Sequence, residues 1–169
     1  YPGELAQNRK ARILVLGSHD PRSNDCFLDI VSEVIMARVD SIDVRLRPHP
    51  SVDIQLNRVA RNNVTSATNP INVEVARADI VLAPCITSAG VDAHVLGANI
   101  VLVEDPNLPN LSALRGEHGI MVVRHSQQIC KLLDDGFGRS QKSHNNGSFL
   151  FFNKKMDDWL QLVSAEEKI

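Results

Sequence analysis

A histidine held between two prolines is the first feature of this sequence that could do chemistry. In Pro48-His49-Pro50 the proline rings fix the backbone and remove two N–H donors, so the imidazole is presented from a stiff turn. Arg47 precedes it. An imidazole N–H beside a guanidinium suits a phosphate oxygen, and protonation of the ring would add charge. A turn with an exposed histidine is the plainer alternative. The second set is Thr87-Ser88-Ala89-Gly90, two hydroxyls and small residues where a helix should begin, so that side-chain and backbone donors face one anion. Gly17-Ser18 follows an apolar run and would let a phosphate approach the backbone. It lacks the G-x-G-x-x-G dinucleotide pattern, and an ordinary strand-to-helix turn also explains it.

Several further groups carry weaker implications. Asp92, near the same helix start as Ser88, either favours the helix dipole or meets a ribose hydroxyl. Asp92 and His94 lie two apart on a helix, point to different faces and make no metal pair. His19 and Asp20 are adjacent and so seldom aim at one atom; a structural or exposed role is expected for both. Glu104 and Asp105 either bind a sugar or cap the turn at Pro106, with the turn favoured. His118, His125 and His144 have no evident partner.

The elements that must position these residues alternate along the chain. Arg12 to Gly17 reads as a buried strand, and Ser23 or Asn24 is placed to cap a helix in which Phe27, Ile30, Val31, Val34 and Ile35 recur with helical spacing. Asp43 to Arg47 is a second strand. A weak helix is expected over Asp53 to Arg61, a short strand over Asn63 to Thr65, and a helix from Pro70 to Arg77. Asp79 to Ala83 is a strand stopped by Pro84, followed by a helix with Val91, Val95 and Leu96 on one face, and then by a strand over Asn99 to Val103. Glu104 to Asn110 is a Pro-rich loop, Ile120 to Val123 a last strand, and Ser126 caps a helix through Leu133. Strand-helix-strand crossovers of this kind are right-handed with parallel strands, and open α/β sheets bind ligands at the carboxyl ends of the strands. The residues singled out above fall at such ends.

Composition sets the outer bounds. The chain has 169 residues, enough for one domain with a sizeable core, and 18 Lys plus Arg against 20 Asp plus Glu, a net charge of -2. That argues against general nucleic-acid binding, which needs a basic face. The three cysteines, Cys26, Cys85 and Cys130, are widely spaced in mostly apolar surroundings and read as reduced core thiols, which points to the cytoplasm. No CxxC pair argues for zinc, no apolar run approaches the roughly 20 residues of a membrane helix, and the N-terminus lacks a signal-peptide core.

Taken together, Arg47-Pro48-His49-Pro50-Ser51, Ala78-Asp79-Ile80-Val81-Leu82, Thr87-Ser88-Ala89-Gly90-Val91-Asp92-Ala93 and Gly97-Ala98-Asn99-Ile100-Val101 resemble the C-terminal half of a GT-B glycosyltransferase. The likeness is to bacterial surface-carbohydrate enzymes of capsule and lipopolysaccharide synthesis with an HP motif and a later Ser/Thr motif, including sialyltransferases and Kdo transferases. The ending, Phe151-Phe152-Asn153 and Asp158-Trp159-Leu160-Gln161-Leu162, is similar to the aromatic, Asp, Trp, Leu ending of such proteins. The resemblance implies an α/β, Rossmann-like three-layer sandwich with a parallel sheet of about five to six strands. It also implies a nucleotide-sugar donor, CMP-sugar favoured, with no other cofactor and no metal.

Carried over residue by residue, it makes His49 the catalytic group that stabilises the leaving phosphate, assisted by Thr87 and Ser88. Gly17, Ser18, Arg47, Gly90 and Asp92 complete the expected donor site, although many GT-B enzymes have Glu where Asp92 stands. The general base for the acceptor would come from another domain. Phe149, Phe151, Phe152 and Trp159 are expected to contact that domain, another copy, or the sheet's own edge. The expected organisation is a linker over residues 1–10, the nucleotide-sugar-binding domain over 11–134, a Gly/Ser/Asn-rich loop over 135–148, and an aromatic segment with a helix over 149–169. The expected location is the cytoplasm, including the face of the inner membrane. A sugar-nucleotide epimerase of the same architecture and a non-catalytic binding domain are the competing readings.

Overall fold

The computed structural model describes residues 9–52, 64–117 and 119–137. The helix expected over 53–61, most of the loop over 135–148, the aromatic ending with Phe149, Phe151, Phe152 and Trp159, and His118 and His144 lie outside the described residues. The elements run β1 (Ala11–Leu16), α1 (Pro21–Ala37), β2 (Ile42–Arg47), β3 (Val64–Ser66), α2 (Ile71–Arg77), β4 (Ile80–Pro84), α3 (Ala89–Val95), β5 (Ile100–Val103), β6 (Met121–Val123) and α4 (Ser126–Asp134).

The strands form one six-stranded sheet in the order β3-β2-β1-β4-β5-β6, and every pairing is parallel. Alternation along the central strands explains the layers. Ile13, Val15, Ile80, Leu82, Val101 and Val103 point to one face, where Phe27, Val31, Val34 and Ile35 of α1 and Ile129 of α4 complete a core. Leu14, Leu16, Val81, Ala83, Ile100 and Leu102 point to the other, beneath Val75 of α2 and Ala93 of α3. Strands covered on both faces must be apolar, which is why β4, β5 and β1 from Ile13 onward read as unbroken hydrophobic runs. The expected three-layer α/β architecture is therefore the observed one.

Three local expectations are corrected. The cap of α1 is Asp20, whose carboxylate accepts from the N–H groups of Arg22 and Ser23 at 3.4 and 3.0 Å; Ser23 and Asn24 are buried inside the helix. Pro21 at the first helical position has no N–H to satisfy, so the helix can start there. β4 ends at Pro84, as expected, with Pro84 itself still in register opposite Val103. In α3 the buried face is Gly90, Ala93 and His94, whereas Val95 and Leu96 are 49% and 44% exposed. Gly90 sets that face: a Cβ built on it would lie 3.6 Å from both Ala83 Cβ and Leu102 Cδ2, so the helix rides close over β4 and β5 along its smallest residues. Finally, Ser126 is the first residue of α4 and not its cap. Its hydroxyl donates to Glu33 Oε2 of α1 at 2.6 Å, while the Gln128 side chain accepts from the N–H groups of Arg124 and His125.

Two buried carboxylates tie the layers together. Asp79, just before β4, accepts from Arg12 N at 2.8 Å, Arg12 Nη2 at 3.0 Å and Arg9 Nη2 at 2.8 Å, which fastens the start of β1 to the start of β4. Burial alone would push its carboxyl up, but the Arg12 and Arg9 hydrogen bonds outweigh that and hold it below the ordinary range. Glu74 of α2 is the second, held by Arg45 of β2.

The cysteines are free thiols, with Cys85 and Cys130 buried and Cys26 half-buried on α1. Burial, helped by the nearby Glu104 carboxylate, pushes the Cys85 thiol up to about 11. Since the thiolate is the reactive form, iodoacetamide at about pH 8 is expected to alkylate Cys26 first. Cys85 is expected to react no faster than the fold opens. Peptide mapping of the alkylated protein checks the order, and early labelling of Cys85 would contradict this packing.

Candidate functional site

The chain leaves β1 toward β2 and β3, then returns to the other side of β1 to form β4. Loops on either side of such a reversal diverge, and the crevice they leave at the carboxyl ends is where doubly wound sheets bind ligands. Here that edge is built by the loop after β1 (Gly17 to Asp20), the loop after β2 (Pro48 to Val52) and the loop after β4 (Cys85 to Ser88). The registers pair Leu16 with Arg47 and Val15 with Leu82, so β2 and β4 end at nearly one level. They flank β1 at about 10 Å from each other, two strand spacings apart.

The loop after β1 is locked by one side chain. Asn24 Oδ1 accepts from Ser18 N at 2.7 Å, and Asn24 Nδ2 donates to Ser18 O at 2.8 Å, both bonds buried. Ser18 is fully buried, and its hydroxyl accepts from Asp20 N at 3.1 Å. Ser18 therefore shapes the turn from inside, while Gly17 N donates to Arg47 O at 2.9 Å. The residue this loop carries outward is His19, which is exposed. Its ring lies edge-on to that of His49, with centroids 5.9 Å apart and planes inclined at 63°.

The loop after β2 presents His49 half-buried, with Nδ1 facing Ser51. Arg47 does not accompany it outward. Its Nη1 donates to the carbonyls of Asn69 at 2.5 Å and Ala67 at 3.4 Å, so this cation braces the loop between β3 and α2.

In the loop after β4, Thr87 is buried and its Oγ1 accepts from Ala89 N at 3.3 Å, a local turn that starts α3. Ser88 is exposed at the cap position, with helical backbone angles and no side-chain capping bond, which leaves its hydroxyl outside the helix's own bonding. Asp92 is exposed in the first turn, and Gly90 lies beneath the helix, against β4 and β5.

The expected site residues thus separate by position. His49, Ser88 and Asp92 reach the surface around the carboxyl edge; Thr87, Gly90, Gly17 and Ser18 are buried supports of the loops; Arg47 is engaged with backbone carbonyls. Sequence reasoning expected an exposed or structural role for His19, which is exposed, and a helix cap from Asn24; it gave Ser51 no role of its own and did not foresee the contact of His19 with His49 or of Asn24 with Ser18. A signal for His19 was present: neighbouring parallel strands β1 and β2 each end in a loop carrying a histidine, and neighbouring loops meet. No local spacing rule points to Asn24, because its partner lies one turn of chain back, across the helix cap.

Elsewhere on this edge Asp105 Oδ1 accepts from Asn107 N at 2.8 Å, the turn expected there. Glu104 pairs with Arg124 at 2.6 Å, and that hydrogen bond holds its carboxyl below the usual range. A cavity of about 560 Å³ opens between α1 and the loop after β5, lined by Cys26, Asp29, Asp105 and Leu108. A smaller one of about 270 Å³ lies under α2, at the amino ends of the strands. Among the described residues no cluster of three or more His, Cys, Asp or Glu could hold a metal ion, and no helix is long and apolar enough to cross a membrane.

Solved structures share this fold. The spinosyn forosaminyltransferase SpnP matches at a TM-score of 0.58 with 13% identity, covering 92% of this chain and 44% of that one. The E. coli heptosyltransferase WaaC, solved with ADP-2-deoxy-2-fluoro heptose, matches at 0.56 with 14% identity, covering 78% and 44%. The fold is that of a GT-B C-terminal domain. A UDP-N-acetylglucosamine 2-epimerase structure from Listeria monocytogenes matches at 0.53 with 9% identity, over 96% of this chain and 46% of that one. This chain spans less than half the length of each of these proteins. No family model matches the sequence, and no curated protein matches it.

Proposed function

We propose that this chain is the nucleotide-sugar-binding domain of a glycosyltransferase, with a CMP-sugar as favoured donor and surface polysaccharide synthesis as the setting. The observation that carries the reading is the placement of His49, with His19 against it, across the β1 reversal from Ser88 at the start of α3. A sugar leaving its nucleotide unloads negative charge onto the phosphate. Donors fixed beforehand at that oxygen stabilise the transition state more than the ground state. His49 supplies a ring N–H and Ser88 a hydroxyl, while Thr87 and Ser18 hold their loops in place. Asp92, beside the helix start, is left for the ribose. The base that activates the acceptor belongs to a second domain, against which Phe149, Phe151, Phe152 and Trp159 are proposed to pack.

Titration of the protein with CMP, UDP and ADP by calorimetry tests this. CMP is expected to bind, and His49→Ala to weaken it about 10- to 100-fold, the worth of a hydrogen bond to a charged group. A second reading, an epimerase-type half, is favoured by the 96% of this chain that aligns with the epimerase structure. Preference for UDP selects it, and absence of binding to all three nucleotides refutes both readings.

A further inference from the structure

The turn that carries His49 also decides which of its ring nitrogens bears the proton. His49 O accepts from Val52 N at 3.0 Å, closing the turn. Pro50 has no N–H, so the first amide donor after the histidine is that of Ser51, and it points back to His49 Nδ1 at 3.2 Å. The Ser51 hydroxyl reaches the same nitrogen at 2.8 Å. A hydroxyl can donate or accept, but a peptide N–H only donates, so Nδ1 must offer its lone pair there. In the neutral ring the proton then sits on Nε2, at the other end of the imidazole.

We propose that Ser51 is a positioning residue that holds His49 as the Nε2–H tautomer, so that the neutral ring meets a phosphate oxygen as a hydrogen-bond donor. The proposal rests on the reading of His49 as a phosphate partner and assigns how that partner is prepared. The two ring nitrogens then have different roles, Nδ1 being used up within the turn while Nε2 alone is available to a ligand. An imidazole left to choose its tautomer would spend part of its time presenting a lone pair to the anion, which repels it.

The experiment reads the ring directly. Two-bond ¹H–¹⁵N spectra of the labelled chain at about pH 9, where an ordinary imidazole is neutral, distinguish a protonated from an unprotonated ring nitrogen, and His49→Ala assigns the signals. The expected result without nucleotide is an unprotonated Nδ1 and a protonated Nε2. Ser51→Ala keeps the peptide N–H and is expected to leave Nε2 protonated, whereas Ser51→Pro, which removes that donor, is expected to move both shifts toward a tautomer mixture and to weaken CMP binding about three- to tenfold, the worth of one hydrogen bond. A protonated Nδ1 in the unaltered protein overturns the proposal. So does a Ser51→Pro protein, folded by its amide spectrum, whose ring shifts and CMP affinity are both unchanged. Because the ring spectra need no ligand, a protein that shows the expected tautomer but binds no nucleotide refutes the nucleotide reading and leaves the tautomer assignment standing.

Discussion

Arg45→Ala is expected to destabilise the fold by about 3–5 kcal/mol, the cost of leaving a buried charge without its partner. Glu74 lies on α2 with its side chain fully buried. Its carboxylate accepts from Arg45 Nε at 2.7 Å and Nη2 at 2.9 Å, and from Asn69 N at 3.1 Å and Nδ2 at 2.7 Å. The forked pair joins β2 to α2, on the face of the sheet where Val75 packs over β1 and β4. Burial pushes the Glu74 carboxyl up, while the hydrogen bonds from Arg45 and Asn69 outweigh it and hold the group below the ordinary carboxylate range.

A depressed folded-state value contributes stability that is present above the unfolded value and lost as pH falls through the folded one. Without Arg45 the burial effect loses its main opponent, and only the Asn69 hydrogen bonds are left to hold the charge, so Glu74 ionises less readily in the folded variant. The gap between the two proteins should therefore be widest near pH 7 and begin to shrink toward about pH 4, where Glu74 protonates more readily in the variant, while in the unaltered protein it stays ionised until the pH falls through its lowered value. Urea denaturation at the two pH values measures it. A gap under about 1 kcal/mol that does not change with pH would place this pair among the weak surface ion pairs. Replacing both residues by apolar ones of similar volume should cost much less than Arg45→Ala alone, because the penalty lies in the orphaned charge.

How far the sequence speaks for this fold depends on the range over which each feature is set. The strands β1, β4 and β5 were legible because burial on both faces demands an unbroken apolar run, a property of each segment by itself. Their parallel order followed from the handedness of the crossovers. The buried face of α3 was misread because Val95 and Leu96 have the right spacing for a core face. The close approach permitted by Gly90 and Ala93 turned the helix the other way, and that depends on Ala83 and Leu102 in two separate strands. Arg47 looked like a phosphate ligand from its neighbours in sequence; the carbonyls that take it up come from the far end of β3. Topology alone put His49, Thr87 and Ser88 after the carboxyl ends of β2 and β4, yet which of them reach the surface was settled by turn geometry. The proximity of His19 to His49 needed both loops at once.

Asn24→Ala is expected to cost about 2–5 kcal/mol, since it strands two buried backbone groups at about 1–3 kcal/mol each. Asn24 is 3% exposed and Ser18 not at all, so water cannot replace the lost partners without the loop opening. The amide suits this place because it offers an acceptor to Ser18 N and a donor to Ser18 O in one plane. Asn24→Asp is the informative companion: the acceptor survives, but a second oxygen is turned against the Ser18 carbonyl, and the variant should recover little of the loss. The same bonds hold the turn that carries His19 to the His49 ring, so the folded fraction of Asn24→Ala should also bind CMP more weakly than the unaltered protein. Denaturation midpoints and calorimetry at a temperature where the variant is folded separate the two effects. Stability within about 0.5 kcal/mol of the original, with Ser18 N–H still protected from hydrogen exchange, would mean that the turn after β1 is held by something other than this side chain.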